Sequence, residues 1–237
     1  DVQIREKEGL KQQKGFIKGP FDTTVEIREN EIRMLVDIEN GQKTGYFLDQ
    51  RENRAALKPF VKDARVLDTF SHTGGFALHA AYYGAREVTA VDISEHAIEY
   101  LKRNADINGL QKKINGVTGN VFDVLKEYQT LNEKFDVVIL DPPAFCKTKS
   151  ALAGAYRGYK DINLRAMKIL NPGGFLVTCS CSHYMYPGLF MEMIQDAAMD
   201  AGKIVRQVEF RTQAKDHPVL YGSNESMYLK CIILQVI

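Results

Sequence analysis

The chain carries two cysteines two residues apart, Cys179 and Cys181, within the pentapeptide TCSCS at 178–182. The pentapeptide follows a Pro-Gly-Gly turn and an apolar run, so we place it at the end of a strand, where residues at this spacing point to the same side. The pair could pack in the core, bind a metal, form a disulfide or supply a nucleophile. A zinc site would need a second ligand pair, and neighbours on one strand are badly placed to bridge each other. We therefore expect no metal or disulfide here, which leaves packing and nucleophilic chemistry.

A second chemical feature is Asp141-Pro142-Pro143, directly after the apolar run FDVVIL at 135–140. Two prolines remove two backbone donors and stiffen the loop, which suits a rigid floor that presents carbonyls or a carboxylate to a flat ring. The alternative is a proline-rich turn without a chemical role.

A third feature is the segment DTFSHTGG at 68–75, followed by a strand that ends in Asp92. Gly74 and Gly75 open a helix whose free N–H groups favour an anionic group, and an acidic residue after the next strand typically binds a ribose diol. S-adenosylmethionine has both a ribose and a small anionic end. Taken singly, the glycines could form a tight turn and Asp92 could cap a helix; GxGxxG, the dinucleotide pattern, is absent.

Strands and helices that alternate from Phe47 onward must position these residues. The pattern predicts strands at 64–70, 87–92, 115–120, 135–140 and 173–180, with helices at 74–84, 94–109, 121–129, 156–170 and 189–202. Two further strands, 203–210 and 227–237, follow without a helix between them. The sequence therefore predicts an α/β fold: a Rossmann-like, doubly wound, seven-stranded sheet, mostly parallel, with an antiparallel last strand.

The N-terminal segment has a different pattern. Residues 23–41 alternate and turn like a hairpin, without a helix signal. We predict a small β-rich appendage over 1–45 and the main domain over 46–237.

Composition limits the classes of function. The 237 residues are 45% hydrophobic, enough for a sizeable core, and a net charge of +1 points to nucleic acid only through a local basic surface. No apolar run approaches the roughly 20 residues of a membrane span. Four cysteines in so long a chain are typical of a reduced protein, and we expect a cytoplasmic one without a membrane association.

Six blocks, in order, carry a family resemblance: GQKTGYFLDQRENR, DTFSHTGGFALHA, VDISEHAIE, DVVILDPPAF, YRGYKDIN and TCSCS. Together they resemble class I S-adenosylmethionine-dependent methyltransferases and, more narrowly, the RlmI type, which makes 5-methylcytosine in large-subunit ribosomal RNA. Such proteins carry an N-terminal PUA-like domain and a β-rich linker domain. The chain starts without Met, and we expect it to lack the PUA-like part and to retain the end of the linker domain.

The resemblance implies a cofactor site for S-adenosylmethionine. The turn would hold the methionine part, Asp92 the ribose and Ile93 the adenine, whereas Arg51 would bind the cofactor carboxylate, an RNA phosphate or merely a surface partner. The family often has an acidic residue at the position of Asn120, whose carbonyl can still accept from the adenine amino group. The implied cofactor-binding set is Phe70, Ser71, Thr73, Gly74, Gly75, Asp92, Ile93, Asn120, Val121 and Arg51.

The resemblance also implies a catalytic pair. Carbon 5 of cytosine is a weak nucleophile, and a thiolate that adds to carbon 6 activates it. Counting from the Gly-Gly that opens the strand assigns this thiolate to Cys181, with Asp141 on the edge of the base and Cys179 packed as a small hydrophobe. The broader class uses a second cysteine directly after the prolines; here that position is Ala144, and a helper role for Cys146 stays open.

For the RNA substrate, cations interleaved with aromatic residues follow the Asp-Pro-Pro turn, and Tyr156 and Tyr159 could stack on a base. A solvated helix face is the alternative. Rival functions are methylation of an exocyclic base amine, RNA binding without catalysis, and a nicotinamide oxidoreductase. The expected partner is ribosomal RNA, and the oligomeric state stays open, a homodimer included. The proposed RNA-binding set is Pro142, Pro143, Lys147, Arg157 and Lys160.

Overall fold

The computed structural model describes residues 3–11 and 15–237. The strands of this part are β1 (Thr24–Glu29), β2 (Ile32–Asp37), β3 (Arg65–Thr69), β4 (Glu87–Asp92), β5 (Ile114–Thr118), β6 (Phe135–Leu140), β7 (Leu170–Ser180), β8 (Val205–Arg211) and β9 (Lys230–Val236). The helices are α1 (Gln3–Lys7), α2 (Arg51–Ala55), α3 (Gly75–Tyr82), α4 (Glu95–Ile107), α5 (Val121–Thr130), α6 (Leu152–Ile169) and α7 (Pro187–Ala201).

Seven strands form the central sheet, in the order β5-β4-β3-β6-β7-β9-β8. The neighbours from β5 to β7 are parallel, and β9 is antiparallel to both β7 and β8. This confirms the predicted seven-stranded α/β sheet with an antiparallel last strand. The strand order reverses between β3 and β6, so the crevice of a doubly wound sheet lies at the carboxyl ends of these two strands.

The sheet is covered on both faces because alternate residues of each buried strand point in opposite directions. Val137 and Ile139 belong to a core cluster with α3 and α4, whereas Val138 and Leu140 belong to one with α5, α6 and α7. Both clusters are buried, which explains why residues 137–140 of this strand, VVIL, are uninterruptedly apolar. The strand is therefore held firmly up to the residue that precedes Asp141.

Most predicted boundaries differ from the observed ones by a few residues, and one of these differences changes the nature of the segment. The stop signal Asn171-Pro172-Gly173 does not separate a helix from a strand; β7 already starts at Leu170, and the extra residues form an irregularity opposite Phe135 and Val137. Gly173 has a φ of 81°, which suits glycine, and the Asn171 side chain donates to Asp136 Oδ1. A turn signal in sequence thus became a bulge within a paired strand.

The N-terminal hairpin β1–β2 packs on α3 and α4. Met34 and Val36 share a buried cluster with Leu78 and Ala105, and the Leu35 N–H donates to Asn104 Oδ1 at 2.7 Å. The hairpin thus supports the helix that follows the DTFSHTGG turn. A domain boundary at 45/46 stays a prediction, and the part of the 1–45 assignment that concerns residues 1, 2 and 12–14 lies outside the described residues.

No helix or strand was predicted for the segment between the hairpin and the central sheet. A 3-10 turn, Leu48–Gln50, leads into α2 there. Arg54 of α2 forms a buried ion pair with Glu29 of β1, with 2.7 Å between Nη1 and Oε1, and donates to the Phe47 carbonyl. This segment therefore links the hairpin to the carboxyl edge of the sheet. Within the described ranges, no helix is both long and apolar enough to cross a membrane.

Candidate active site

A cavity of about 400 Å³ opens at the carboxyl ends of β3, β4 and β6, where the strand order reverses. Most of the residues that the sequence singled out meet there. The predicted residues that line it are Phe70, Ser71, Gly75, Asp92, Ile93, Asn120, Val121, Asp141, Pro142, Pro143 and Cys181. The predicted residues that do not line it are Arg51, Thr73, Gly74, Lys147, Arg157 and Lys160.

The turn between β3 and α3 is held in an unusual backbone conformation. Phe70 and His72 have φ values of 58° and 50°, in a backbone region that residues other than glycine rarely adopt. Asp92 stabilises this turn, since its Oδ2 accepts from the His72 N–H at 2.8 Å and its Oδ1 from the Ser94 N–H at 2.9 Å. Strained backbone of this kind is concentrated at binding sites. Each Asp92 oxygen keeps a second lone pair for a ligand hydroxyl.

Two features of the turn suit a bound polar group. Ser71 Oγ is buried and has no hydrogen-bond partner among the described residues, although the residue lines the cavity. A buried polar atom of this kind costs free energy unless something binds to it. Gly75 meanwhile lets Arg54 approach the start of α3, because an added Cβ would lie 2.7 Å from Arg54 Nε.

Gly75→Ala should therefore weaken S-adenosylmethionine binding by at least about tenfold, the equivalent of 1.4 kcal/mol. The Cβ displaces the buried Arg54 and with it the wall of the cavity. Isothermal titration with the cofactor measures the effect. Gly154→Ala, in α6 with open space around it, is the matched control and should leave the affinity unchanged. Equal affinities in Gly75→Ala and wild type would contradict this account of the turn.

Two large apolar side chains line part of the cavity. Ile93 is 73% exposed although it is a large apolar side chain, and Phe122 also lines the cavity. Asn120 caps α5 by accepting the Phe122 N–H at 3.0 Å. The Asn120 carbonyl retains a second lone pair, so the cap is compatible with the predicted contact to an amino group.

Asp141 is fixed by a chain of side-chain hydrogen bonds that the sequence did not reveal. Arg211 Nε donates to Asn53 Oδ1, Asn53 Nδ2 to Gln50 Oε1, and Gln50 Nε2 to Asp141 Oδ1, at 3.1, 2.6 and 2.8 Å. A guanidinium only donates and a backbone carbonyl only accepts, so Arg211 and the Thr212 carbonyl, which accepts from Asn53 Nδ2 at 3.1 Å, together determine the direction of the whole chain. Asp141 therefore has one oxygen occupied by Gln50.

The pKa of Asp141 is raised to about 6, chiefly by burial, although Arg54 and Gln50 lower it. In the unfolded chain the pKa returns to about 4, so the folded state binds this proton more tightly. The contribution of this tighter proton binding to the free energy of unfolding is complete below about pH 4. It is lost as the pH rises through about 6, and the free energy of unfolding then decreases by up to about 1.4 kcal/mol per pH unit.

Asp141→Asn should remove this contribution to the pH dependence. We expect the free energy of unfolding of the wild type, relative to that of the variant, to decrease as the pH rises from 4 to 6.5. Urea unfolding of both proteins at several pH values measures this difference. A difference that stays constant across that range would contradict the assignment.

The two cysteines of TCSCS have different environments. Cys181 follows β7, lines the cavity and has its sulfur 4.0 Å from the Pro142 carbonyl oxygen. Cys179, one pleat earlier, is fully buried and lies opposite Cys231 of β9. The burial of Cys179 agrees with the prediction that it packs in the core. Cys181 is thus the cysteine of this pair that lines the cavity.

The serines of TCSCS hold the strand end in place. Ser180 donates to the Tyr159 hydroxyl at 3.1 Å, and Ser182 Oγ lies 2.9 Å from the same hydroxyl. Ser182 Oγ also accepts from the Cys146 N–H. Tyr159 is fully buried, so the expectation that it stacks on RNA is wrong: it anchors the backbone on both sides of Cys181.

Cys146 and the predicted RNA-binding cations lie outside the cavity. The Cys146 thiol is buried and donates to the Thr148 carbonyl. Lys147 and Arg157 are exposed, whereas Lys160 lies between the carboxylates of Asp196 and Asp200. The role of these cations in RNA binding stays a prediction.

Charged residues that the sequence analysis missed lie near the predicted catalytic pair, Cys181 and Asp141. Arg54 and Lys43 line the cavity; both lower the pKa of Asp141, and Lys43 also lowers that of Cys181. The predicted residue Arg51 instead pairs with Asp216 outside the cavity. Lys43 and Arg54 lie in the sequence blocks GQKTGYF and FLDQRENR, but nothing in the sequence distinguished them from the other basic residues of these blocks.

Comparison with known proteins agrees with this geometry. The profile of the S-adenosylmethionine-dependent methyltransferase family matches residues 12–222, and the chain belongs to that family. This confirms the predicted cofactor class.

Ribosomal RNA large subunit methyltransferase I of Aeromonas salmonicida is one of the most similar curated relatives, 46% identical over 99% of this chain and 60% of that protein. The protein of the same name from Klebsiella pneumoniae is 48% identical over 97% of this chain and 58% of that protein. The chain thus spans about 60% of the length of these relatives.

Solved structures show the same fold. The crystal structure of SMU.776 complexed with SAH has a TM-score of 0.83 at 24% identity, over 93% of this chain and 58% of that chain. Trm5b from Pyrococcus abyssi has a TM-score of 0.70 at 21% identity, over 93% and 58%. Within the part of the chain that the structure describes, no three His, Cys, Asp or Glu side chains are grouped as a metal site.

Proposed function

We propose that this chain is the catalytic part of a cytoplasmic S-adenosylmethionine-dependent methyltransferase that modifies carbon 5 of a cytosine in large-subunit ribosomal RNA, with Cys181 as nucleophile. The observation that carries the proposal is that Cys181 and Asp141 line one cavity with the cofactor turn. A methyl acceptor bound there would meet a thiol, a carboxyl group and the methyl donor together. The ribosomal substrate is inferred from the relatives, whose names state it.

The residues present fit the cofactor. Asp92 offers lone pairs to the ribose hydroxyls, Ser71 offers an unbonded hydroxyl, and Ile93 offers an apolar surface for the adenine. When bound, S-adenosylmethionine supplies an electrophilic methyl group. Asn120 lines the cavity and is a candidate for a further cofactor contact, whereas Arg51, outside the cavity, is a candidate for an RNA phosphate.

The chemistry begins at carbon 6 of the cytosine. The Cys181 thiolate adds there and forms a C–S bond, while Asp141, if protonated, donates to N3 and so balances the added electron pair. Carbon 5 then forms a bond to the methyl group as the bond from that methyl to the cofactor sulfur breaks. Loss of the carbon-5 proton to a base and return of the N3 proton to the Asp141 carboxylate restore the C5–C6 double bond and expel the thiolate.

Asp141 is suited to this role because its raised pKa keeps part of the carboxyl group protonated near neutral pH. Gln50 donates to Oδ1, so Oδ2 is the oxygen that would carry the proton toward the base. Pro142, which follows, has no backbone N–H and keeps this edge free of a competing donor.

The test is covalent trapping. The protein, S-adenosylmethionine and large-subunit ribosomal RNA transcribed with 5-fluorocytidine are mixed, and any protein–RNA adduct is mapped by mass spectrometry. Fluorine at carbon 5 cannot leave as a proton does, so the nucleophile stays attached. We expect an adduct on Cys181, and none in Cys181→Ser.

An adduct on Cys179 would keep the chemistry and overturn the assignment of the nucleophile. Methylation of an exocyclic amine in natural RNA, without any adduct, would overturn carbon-5 chemistry in favour of amine methylation. Cofactor binding without turnover on either RNA would favour an RNA-binding protein that retains the fold.

A further inference from the structure

Lys230 is a buried lysine beside the candidate nucleophile. Its side chain is 1% exposed, and its ammonium group donates to the Ser182 carbonyl at 2.8 Å and to the Tyr228 carbonyl at 2.9 Å. An ammonium has three protons, and the third finds no partner among the described residues. No carboxylate in the described part of the chain forms an ion pair with it. A buried charge without a counter-charge is costly.

The topology explains why this lysine lies at the active edge. β9 is antiparallel to β7, so its first residue, Lys230, pairs with Ser180 at the carboxyl end of β7. In a parallel strand the first residue would lie at the opposite edge of the sheet. Ser182, to which Lys230 donates, directly follows Cys181 in sequence. The reversed strand therefore brings a cation beside the cysteine.

We propose that Lys230 is a positioning residue for the reaction, whose buried ammonium group favours the thiolate form of Cys181. The proposal rests on the proposed function in assigning a use to that thiolate. The ammonium also fixes the backbone after Cys181 through the Ser182 carbonyl, so charge and geometry act on the same residue.

The effects of Lys230 and Cys181 on each other's pKa support their pairing. Burial and Asp141 raise the pKa of Cys181, and Lys43 and Lys230 lower it. Burial lowers the pKa of Lys230 to about 8, and Cys181 acts in the opposite direction. The pKa of Cys181 remains above its ordinary value, and without a cation it would be higher still, since both burial and the neighbouring carboxylate oppose ionisation.

The other ionisable groups around Cys181 come from several elements and set the background for any pH measurement. They are Asp141 after β6, Lys43 before α2, Tyr159 of α6 and Tyr228 before β9. Lys43 is exposed at the cavity, so solvent screens its charge more than that of Lys230.

The first test is alkylation of Cys181 by iodoacetamide as a function of pH, followed by mass spectrometry of the labelled peptide. In Lys230→Met we expect the midpoint of the pH profile to rise by about one unit, so that the rate at pH 7.5 falls about tenfold. Lys134→Met is the matched control: Lys134 also donates to a backbone carbonyl, but it precedes β6, at the opposite edge of the sheet. An unchanged midpoint in folded Lys230→Met would overturn the proposal.

A second test leaves Lys230 in place, in case its replacement prevents folding. The titration of the Lys230 side chain is followed by NMR in the wild type and in Cys181→Ser, whose hydroxyl does not ionise in this range. We expect the Lys230 midpoint to fall in the variant, because the thiolate that stabilised its charge is gone. Equal midpoints would overturn the proposal.

Neither measurement uses RNA or cofactor, so they are independent of the trapping experiment. A Lys230-dependent thiol midpoint with no RNA adduct would retain the pairing and reject the proposed function. An RNA adduct on Cys181, together with a thiol midpoint that does not depend on Lys230, would retain the proposed function and reject the pairing of Lys230 with Cys181.

Discussion

Replacing Cys181 by alanine should lower the rate of methyl transfer to cytosine by about a thousandfold or more. Without the thiolate, carbon 5 must attack the methyl group unassisted, and a nucleophile that forms a covalent intermediate is typically worth that much or more. The measurement is transfer of labelled methyl groups to large-subunit ribosomal RNA under single-turnover conditions. The affinity for S-adenosylmethionine should change little, because Cys181 is not among the proposed cofactor contacts.

Cys179→Ala is the matched control for this prediction. Cys179 is buried opposite Cys231, so its truncation should cost stability on the order of 1 kcal/mol and leave methyl transfer within a few-fold of the wild type. If Cys181→Ala stayed active and Cys179→Ala lost activity, the nucleophile would be misassigned. If both stayed active, carbon-5 chemistry itself would be wrong.

Arg54→Met should lower the free energy of unfolding by about 3–5 kcal/mol. The side chains of Arg54 and Glu29 are 4% and 2% exposed, and removing the cation leaves a buried carboxylate without its partner. Contacts of the guanidinium with the Tyr46 and Phe76 rings and with the Phe47 carbonyl are also lost. Denaturant unfolding, monitored by circular dichroism, measures the change.

Arg51→Met, three residues earlier, provides the control. Its pair with Asp216 is 36% and 41% exposed, so the loss should be about 1 kcal/mol or less. The double variant Glu29→Leu Arg54→Met should recover part of the stability, since an apolar pair leaves no unpaired charge. Similar losses in the Arg54 and Arg51 single variants would show that the buried pair is not the cause.

The regular elements were largely predictable because their signals are local. The strands at 87–92 and 135–140 occur with the predicted bounds, since aliphatic residues that are buried on both faces of a segment favour a central parallel strand. The carboxyl ends of those strands then placed Asp92 and Asp141 at one edge of the sheet. The backbone positions of the site thus followed from the predicted fold.

The polar network was not predictable, because its contacts join residues far apart in sequence. Gln50 meets Asp141 across 91 positions, and Asn53 meets Arg211 across 158. Tyr159 lay in a plausible RNA-binding pattern, yet only the packing of α6 against β7 shows that it is buried. Lys230 gave a weak local signal: a lysine at the start of an apolar run predicted to be a strand.

The hydrogen-bond chain that ends at Asp141 has a consequence for how this site could change during evolution. Two fixed groups set the direction of both amides, because Arg211 can only donate and the Thr212 carbonyl can only accept. An acceptor at position 211 alone would leave Asn53 held by the Thr212 carbonyl, and Gln50 would keep its amide nitrogen toward Asp141. The environment of Asp141 is thus insulated from single substitutions at this position of β8, outside the cavity.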